Sequence, residues 1–339
     1  MMIERSELHD AARQAFGNEP ILMPRDQAWP MVAELGWLLL PVPEDMGGLG
    51  LGLDSSAAIQ FELGRVLGTA PMLPALMAIR ALVAAGKSEL VERAAAGELI
   101  TTSLVLKGVS EAGGKLSGTL EGVPDADMAG HLFLITEGLG LATLVPLDAA
   151  GVTVTARETW DESRKLFDVA LDGVAIDEAL VLARGDAVPA ISKAVKAEML
   201  SGLAADSLGA AAAALDMSVE YLKTRRQFDR PLAMFQALKH RVADLKTQLE
   251  ATTALLWSRT AGEAPRTAEL GGLKAIATDV FRMVAEEAVQ FHGGIGLTEE
   301  YPVHHYLKRA LMNLQLGGSL DLWREAAGRA ALKDYLAAA

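Results

Sequence analysis

The sequence predicts an α+β protein, mostly helical. Its three consecutive parts are an N-terminal helical domain (residues 1–98), a small antiparallel β domain (99–182) and a C-terminal bundle of long helices (183–339). Three observations predict this. Apolar residues recur at helical spacing through the first hundred positions. Between 99 and 182 the pattern becomes short β-branched runs broken by Gly, Asp or Pro. From about Ser192 the helical pattern returns over long stretches with few prolines.

In the first part, Asp54, Ser55 and Ser56 offer N-caps to a helix carrying Ile59, Phe61, Leu63, Val66 and Leu67 at helical spacing. Gly47, Gly48, Gly50 and Gly52 precede it. That run follows no convincing strand and lacks GxGxxG spacing, so it reads as a glycine-permitted turn. In the second part ELITTSLVL, KLSGTLEGV, HLFLIT, LATLVPL, GVTVTA and FDVALDGV read as successive strands of a small sandwich or barrel. No helix-length segment separates them, which argues against a Rossmann domain. In the third part, residues 192–225 contain no proline and would make a helix of about 50 Å. A second helix is expected over about 233–262. A third follows Pro265, with Thr267 as N-cap and Glu269 in its first turn, and ends before Gly293 and Gly294. Two more are expected from about Glu299 and about Leu320. The alanines at 210–214 allow close helix approach. Short connections between long helices make an antiparallel bundle.

The chain has 339 residues, 51% of them hydrophobic and only 22% charged, and its mean hydropathy is +0.23. That suits a large buried core and excludes a disordered chain. Lys and Arg number 31 against 44 Asp and Glu, a net charge of -13, which argues against general nucleic-acid binding. With no cysteine the chain has no disulfide, thiol nucleophile or iron–sulfur ligation, and it suits a reducing compartment. The start, MMIERSELHD, lacks the apolar core of a secretory signal. The longest apolar stretch, 70–86, is interrupted by Pro71, Pro74 and Arg80 and is too short to span a bilayer. A cytoplasmic protein with no membrane and no nucleic-acid partner is expected.

No metal or hydrolase signature is present. His304 and His305 are adjacent, so on a helix they point about 100° apart and are expected at the surface. His240 is expected on a solvated helix face. Two segments stand out. TRRQFDRPLAMFQALKHRVADL (224–245) puts Arg225, Arg226 and Arg230 between two helices of an acidic chain. These are either cations favoured at a helix C-terminus or an anion site built on guanidinium. AVQFHGGIGLTEEYPVHHYLKRA (288–310) contains Gly293, Gly294 and Gly296, which either cap and turn a helix or let the backbone approach a ligand. Residue types alone leave both pairs of readings open.

Their combination is specific. An arginine at a helix end, then FQ, then about fifty residues later Q-x-x-G-G-x-G followed by EYP, resembles the acyl-CoA dehydrogenase flavoprotein family. LGWLLLPVPEDMGGLGL and FELGRVLG near the N-terminus also resemble its segments, and the order of domains is the family's. The resemblance implies an oxidoreductase that α,β-dehydrogenates an acyl-CoA thioester in fatty-acid or sterol side-chain catabolism. It implies FAD lying between subunits, with electron-transfer flavoprotein as acceptor. It places Arg225 against the FAD of a neighbouring subunit, with Phe228 as the motif's aromatic and Gln236 in the FQ step. Gln290, Gly293 and Gly294 would run along the adenosine and pyrophosphate.

Several positions depart from the family pattern. The glycine of its R-x-x-F-G motif is Asp229 here, a carboxylate beside an anion site that Arg226 or Arg230 could pair. The family's base is a Glu before Gly-Thr. Ungapped counting puts Gly317 there, followed by Gly318 and Ser319, with Ser319 retained as a cofactor contact. In members whose base lies on the earlier helix, the matching position is Met199; Glu198 beside it and Asp206 two turns on are weak substitutes, and no catalytic residue is assigned. The flavin-contacting loop is reduced to KGVSEAG after Leu106, and its aromatic step reads EGVPDA. The chain therefore resembles the degenerate subunit of a hetero-oligomeric acyl-CoA dehydrogenase. The readings beside it are a homo-dimer or tetramer with a relocated base, and a structural or binding subunit without flavin. A glycine at 317 would leave room for bulky or branched acyl groups.

Overall fold

Five helices open the chain: α1 (Arg5–Phe16), α2 (Arg25–Glu34), α3 (Leu53–Arg65), α4 (Met72–Ala84) and α5 (Ser88–Ala95). The computed structural model describes residues 3–17, 21–104, 108–136, 138, 140–262 and 265–338. The turn before α3 holds Gly47 at φ +84° and Gly50 at φ +62°, left-handed conformations that account for the glycine run. Asp54 follows in the first turn of α3, where a carboxylate is favoured by the helix dipole. α4 is apolar nearly all round because it is buried nearly all round.

Eight strands follow: β1 (Ile100–Thr102), β2 (Val109–Ala112), β3 (Lys115–Pro124), β4 (His131–Ile135), β5 (Leu141–Pro146), β6 (Val152–Arg157), β7 (Leu166–Ala175) and β8 (Val181–Arg184). They form two four-stranded sheets in the orders β1-β4-β5-β8 and β2-β3-β7-β6. Val109, Leu116, Leu120 and Val169 of one sheet share a core with Leu132, Leu134 and Val145 of the other. The expected sandwich is therefore present, but not wholly antiparallel: β1 pairs with β4 in parallel, Ile100 opposite His131. The chain visits the second sheet through β2 and β3 before returning beside its own first strand, and such a crossover permits a parallel pair. β2 lies in the stretch read as a loop from sequence. Gly113 (φ +59°) and Gly114 (φ +74°) close its hairpin to β3, a two-glycine turn that matches strand twist. Leu106 and Lys107, the start of that stretch, lie outside the described residues.

The remaining elements are α6 (Val188–Thr224), a hairpin of β9 (Arg226–Gln227) and β10 (Arg230–Pro231), α7 (Gln236–Thr260), α8 (Thr267–His292), α9 (Val303–Gln315) and α10 (Leu320–Ala338). α6 begins earlier than expected because Pro189 is tolerated in a first helical turn. Arg266, not Thr267, is the N-cap of α8. α9 starts at Val303 rather than near Glu299, directly after Pro302. α8 is the central helix, packed against α7, α9 and α10.

The chain divides into two compact units, one of Met1–Leu22, Ala57–Gly68 and Leu200–Ala339, the other of Met23–Ser56 and Thr69–Met199. In the first, α3 and α6 cross at glycines: a Cβ on Gly209 would stand 1.8 Å from the Phe61 carbonyl oxygen, and one on Gly64 2.2 Å from that of Asp206. Only hydrogen fits there, and the neighbouring alanines Ala210, Ala211 and Ala214 are fully buried. Two buried carboxylates of that unit are paired. Glu62 receives His9 and Arg13, and Asp206 receives Arg309. In the second unit Arg25 binds Asp125 and Asp127, and Arg80 binds Glu198.

Candidate functional site

Arg225 immediately follows α6. Its N–H donates to the Tyr221 carbonyl (2.8 Å) and its carbonyl accepts from the Leu232 N–H (2.8 Å), closing the base of the β9–β10 hairpin. The two tip residues, Phe228 (φ +54°) and Asp229 (φ +63°), are both left-handed, as a two-residue hairpin turn with native twist demands. This explains the family's glycine at 229. Aspartate is among the few other residues that tolerate the conformation. Neither expected partner takes the Asp229 carboxylate. Arg226 donates to the Asp229 backbone carbonyl (2.7 Å), and the Arg230 guanidinium lies 4.1 Å over the Phe235 ring. Arg226 is thus engaged within the hairpin and Arg230 against the N-cap residue of α7. Arg225 is exposed, and its guanidinium has no hydrogen bond or ion pair to any other described residue. Phe228 is 83% exposed, touching Phe235 edge-on at 6.0 Å, and Gln236 is the exposed first residue of α7.

The second segment lies at the end of α8. Gln290 is exposed, and Gly293 has φ +64° and ψ −144°, a region open essentially only to glycine. Gly294 needs no such conformation, and a Cβ there would meet open space. Nothing among the described residues requires its glycine. The two segments are clasped together by aromatic side chains. Tyr221, one helical turn before Arg225, stacks on His292 at 4.4 Å and donates its hydroxyl to the His292 carbonyl (3.4 Å). Tyr301 packs against both rings, 5.2 Å from Tyr221 and 5.0 Å from His292. His292 Nδ1 meets the Ala288 carbonyl at 2.8 Å, and burial pushes the imidazole pKa down. Sequence reasoning passed over this clasp. Its only signals were an aromatic four residues before the arginine and a histidine directly before the diglycine.

Gly317, the residue that ungapped counting sets against the family's base, is buried with φ +67°, and its carbonyl accepts from Trp323 Nε1 (2.8 Å). The Ser319 Oγ accepts from the Leu322 N–H (3.3 Å), capping α10. Beneath this loop, fully buried Lys274 donates to the carbonyls of Gly318 (2.7 Å) and Leu314 (3.2 Å), and burial pushes its pKa down to about 8. Glu198 is fully buried and paired with Arg80 at 2.9 Å. Asp206 takes Arg309 at 3.1 Å and Asn313 at 2.7 Å. In the EGVPDA stretch, Asp125 is left-handed (φ +51°) and bound to Arg25 at 2.7 Å; burial raises its pKa to about 6, against the pull of Arg25. His304 and His305 do not diverge on the surface as expected: their rings lie 4.1 Å apart, and His305 is buried.

Helices, a β sandwich and a long-helix bundle in this order make the acyl-CoA dehydrogenase fold. Family models for the acyl-CoA dehydrogenase N-terminal and C-terminal domains match residues 5–97 and 200–332. The chain belongs to the acyl-CoA dehydrogenase family, flavoprotein oxidoreductases acting on the CH–CH bond of acyl-CoA thioesters. It is 32% identical over 321 residues to acyl-CoA dehydrogenase IpdE2 of Mycolicibacterium smegmatis, covering 94% of this chain and 91% of that protein. Among solved structures it resembles the ChsE4-ChsE5 complex from Mycobacterium tuberculosis, with TM-score 0.85, 25% identity and 97% of each chain covered. The glutaryl-CoA dehydrogenase of Mycobacterium smegmatis in complex with FADH2 shares the fold at TM-score 0.86 and 19% identity, covering 98% of this chain and 95% of that one. No helix among the described residues is long and apolar enough to cross a membrane.

Proposed function

We propose that this chain is one subunit of a hetero-oligomeric, FAD-dependent acyl-CoA dehydrogenase: it grips the FAD diphosphate across a subunit contact, and its partner supplies the catalytic base and the flavin-ring pocket. One observation carries the reading: Arg225 and the diglycine bend are open, whereas position 317 has no side chain and Glu198 and Asp206 are held in buried ion pairs. The residues fit the diphosphate half of the cofactor. A guanidinium without a protein partner neutralises phosphate charge, and a glycine with free volume lets the backbone approach. Gln236 and Gln290 offer exposed amides, and the Ser319 hydroxyl still has a proton to donate while its oxygen caps α10. Phe228 would be covered by the partner chain.

Bound flavin supplies the hydride acceptor for the thioester's β carbon, and electron-transfer flavoprotein is the expected electron acceptor. The α proton needs a base from the partner, because Gly317 cannot take it. The likeness to the ChsE4-ChsE5 complex supports a two-chain assembly, and the likeness to a dehydrogenase solved with FADH2 supports the cofactor. The missing side chain at 317 suits a bulky or branched acyl group.

The test is flavin content in the isolated hetero-complex. Arg225→Ala should lose most of the bound flavin while the complex keeps its size on gel filtration, and Arg225→Lys should retain part of it. Unchanged flavin in Arg225→Ala would overturn the assignment.

A further inference from the structure

Just past the diglycine bend, the chain turns into α9 through residues 298–302, and three side chains converge there that the flavin half-site does not use. His305 Nε2 stands 3.4 Å from one Glu299 carboxylate oxygen, and His304 Nε2 stands 3.5 Å from the other. The ligand atoms of the three residues all lie within 4.8 Å of one another. His305 Nε2 and Glu299 form a long hydrogen bond, and both His–Glu separations lie beyond the common range of about 2.7–3.2 Å. They match the spacing of two ligands around one tetrahedral ion, about 3.3–3.6 Å when each bond is about 2.0–2.2 Å.

The tautomer also fits. His304 Nδ1 lies 3.2 Å from the Tyr301 carbonyl, which can only accept, so Nδ1 is the donor there and Nε2 is the nitrogen left to face Glu299; a bound ion would take the Nε2 lone pair in place of a proton. A backbone carbonyl behind a histidine is the usual support for a metal-bound imidazole. The imidazoles are largely buried and pre-positioned, while Glu299 is exposed, so the side opposite them is open to solvent.

We propose that Glu299, His304 and His305 form a binding site for one divalent transition-metal ion, with Zn2+ as the representative. Two imidazoles and one carboxylate suit Zn2+, Ni2+ or Cu2+ and discriminate against Mg2+ and Ca2+, which demand oxygen ligands. The ion links the turn at 299 to the first turn of α9. It thereby pins the segment that carries Tyr301 against Tyr221 and His292.

The experiment is calorimetric titration of the untagged, chelator-treated full chain with ZnCl2, with MgCl2 in parallel. It needs neither flavin nor acyl-CoA, so its result is independent of the half-site. One Zn2+ per chain and no Mg2+ is expected. Glu299→Gln, at an exposed position that does not threaten folding, should weaken Zn2+ binding by about tenfold or more, and His304→Gln by a similar factor. Substitution with Co2+ should give the visible absorption of a tetrahedral site in the parent chain and lose it in His304→Gln. Absence of Zn2+ binding, equal binding of Mg2+, or Zn2+ binding that neither variant changes would overturn the proposal.

Discussion

Glu198 and Asp206 are the carboxylates that residue counting offers as substitute bases, and each is held by a cation instead, Asp206 by buried Arg309 and Glu198 by half-buried Arg80. Removing the charge of Glu198 leaves the half-buried Arg80 without its counter-charge, which destabilises the fold. Glu198→Gln should therefore lower the urea midpoint of the chain markedly while the assembled complex keeps its turnover; abolished turnover in a folded complex would make Glu198 the base. Lys274 gives a second prediction. Burial depresses its pKa to about 8 from the ordinary 10.5. Below about pH 8 both folded and unfolded states bind the proton, so the group adds no slope. Between about 8 and 10.5 the unfolded chain binds more protons than the folded one, so stability rises with pH. The difference in stability between the parent chain and Lys274→Met, measured by urea melts across that window, should grow in the parent's favour as pH rises. A flat difference would show that Lys274 is solvated in the folded chain. None of these pairings was legible in the sequence, because partners such as Arg80 and Glu198 lie 118 positions apart.

The β9–β10 hairpin joins the arginine to the next helix, and its tip holds two non-glycine residues in a left-handed conformation that costs an L-residue roughly 1–2 kcal/mol. Asp229→Gly should stabilise the chain by up to about 1 kcal/mol, and by removing a carboxylate beside the arginine it should raise flavin retention in the complex. Lower retention would mean that Asp229 itself takes part in binding. At this scale the sequence was largely readable. Period and punctuation located the long helices to within a few residues, and the basic RRQFDR run marked the break between α6 and α7. What escaped was set by pairing rather than pattern. The parallel β1–β4 pair depends on where the chain returns, β2 is too short to show alternation, and the convergence of His304 with His305 depends on Glu299 in the preceding turn.

Many of the exposed large apolar residues, including Phe228, Met234, Leu297, Leu322, Leu332, Tyr335 and Leu336, lie in the C-terminal elements that also carry the half-site. Apolar surface of that kind is what a subunit contact covers. Membership of the family was legible from Arg225, Gln290 and the diglycine together, which are exposed in the fold and so are not fixed by core packing. The proposed division of labour with a partner chain rests in the sequence on Gly317 and on the reduced flavin-contacting segments KGVSEAG and EGVPDA. Its direct test is the visible spectrum and activity of the chain purified alone. The account predicts little bound flavin and no dehydrogenation of any acyl-CoA until a catalytic partner is co-expressed, when flavin appears in the joint complex. Stoichiometric flavin together with acyl-CoA dehydrogenation by the solitary chain would contradict it.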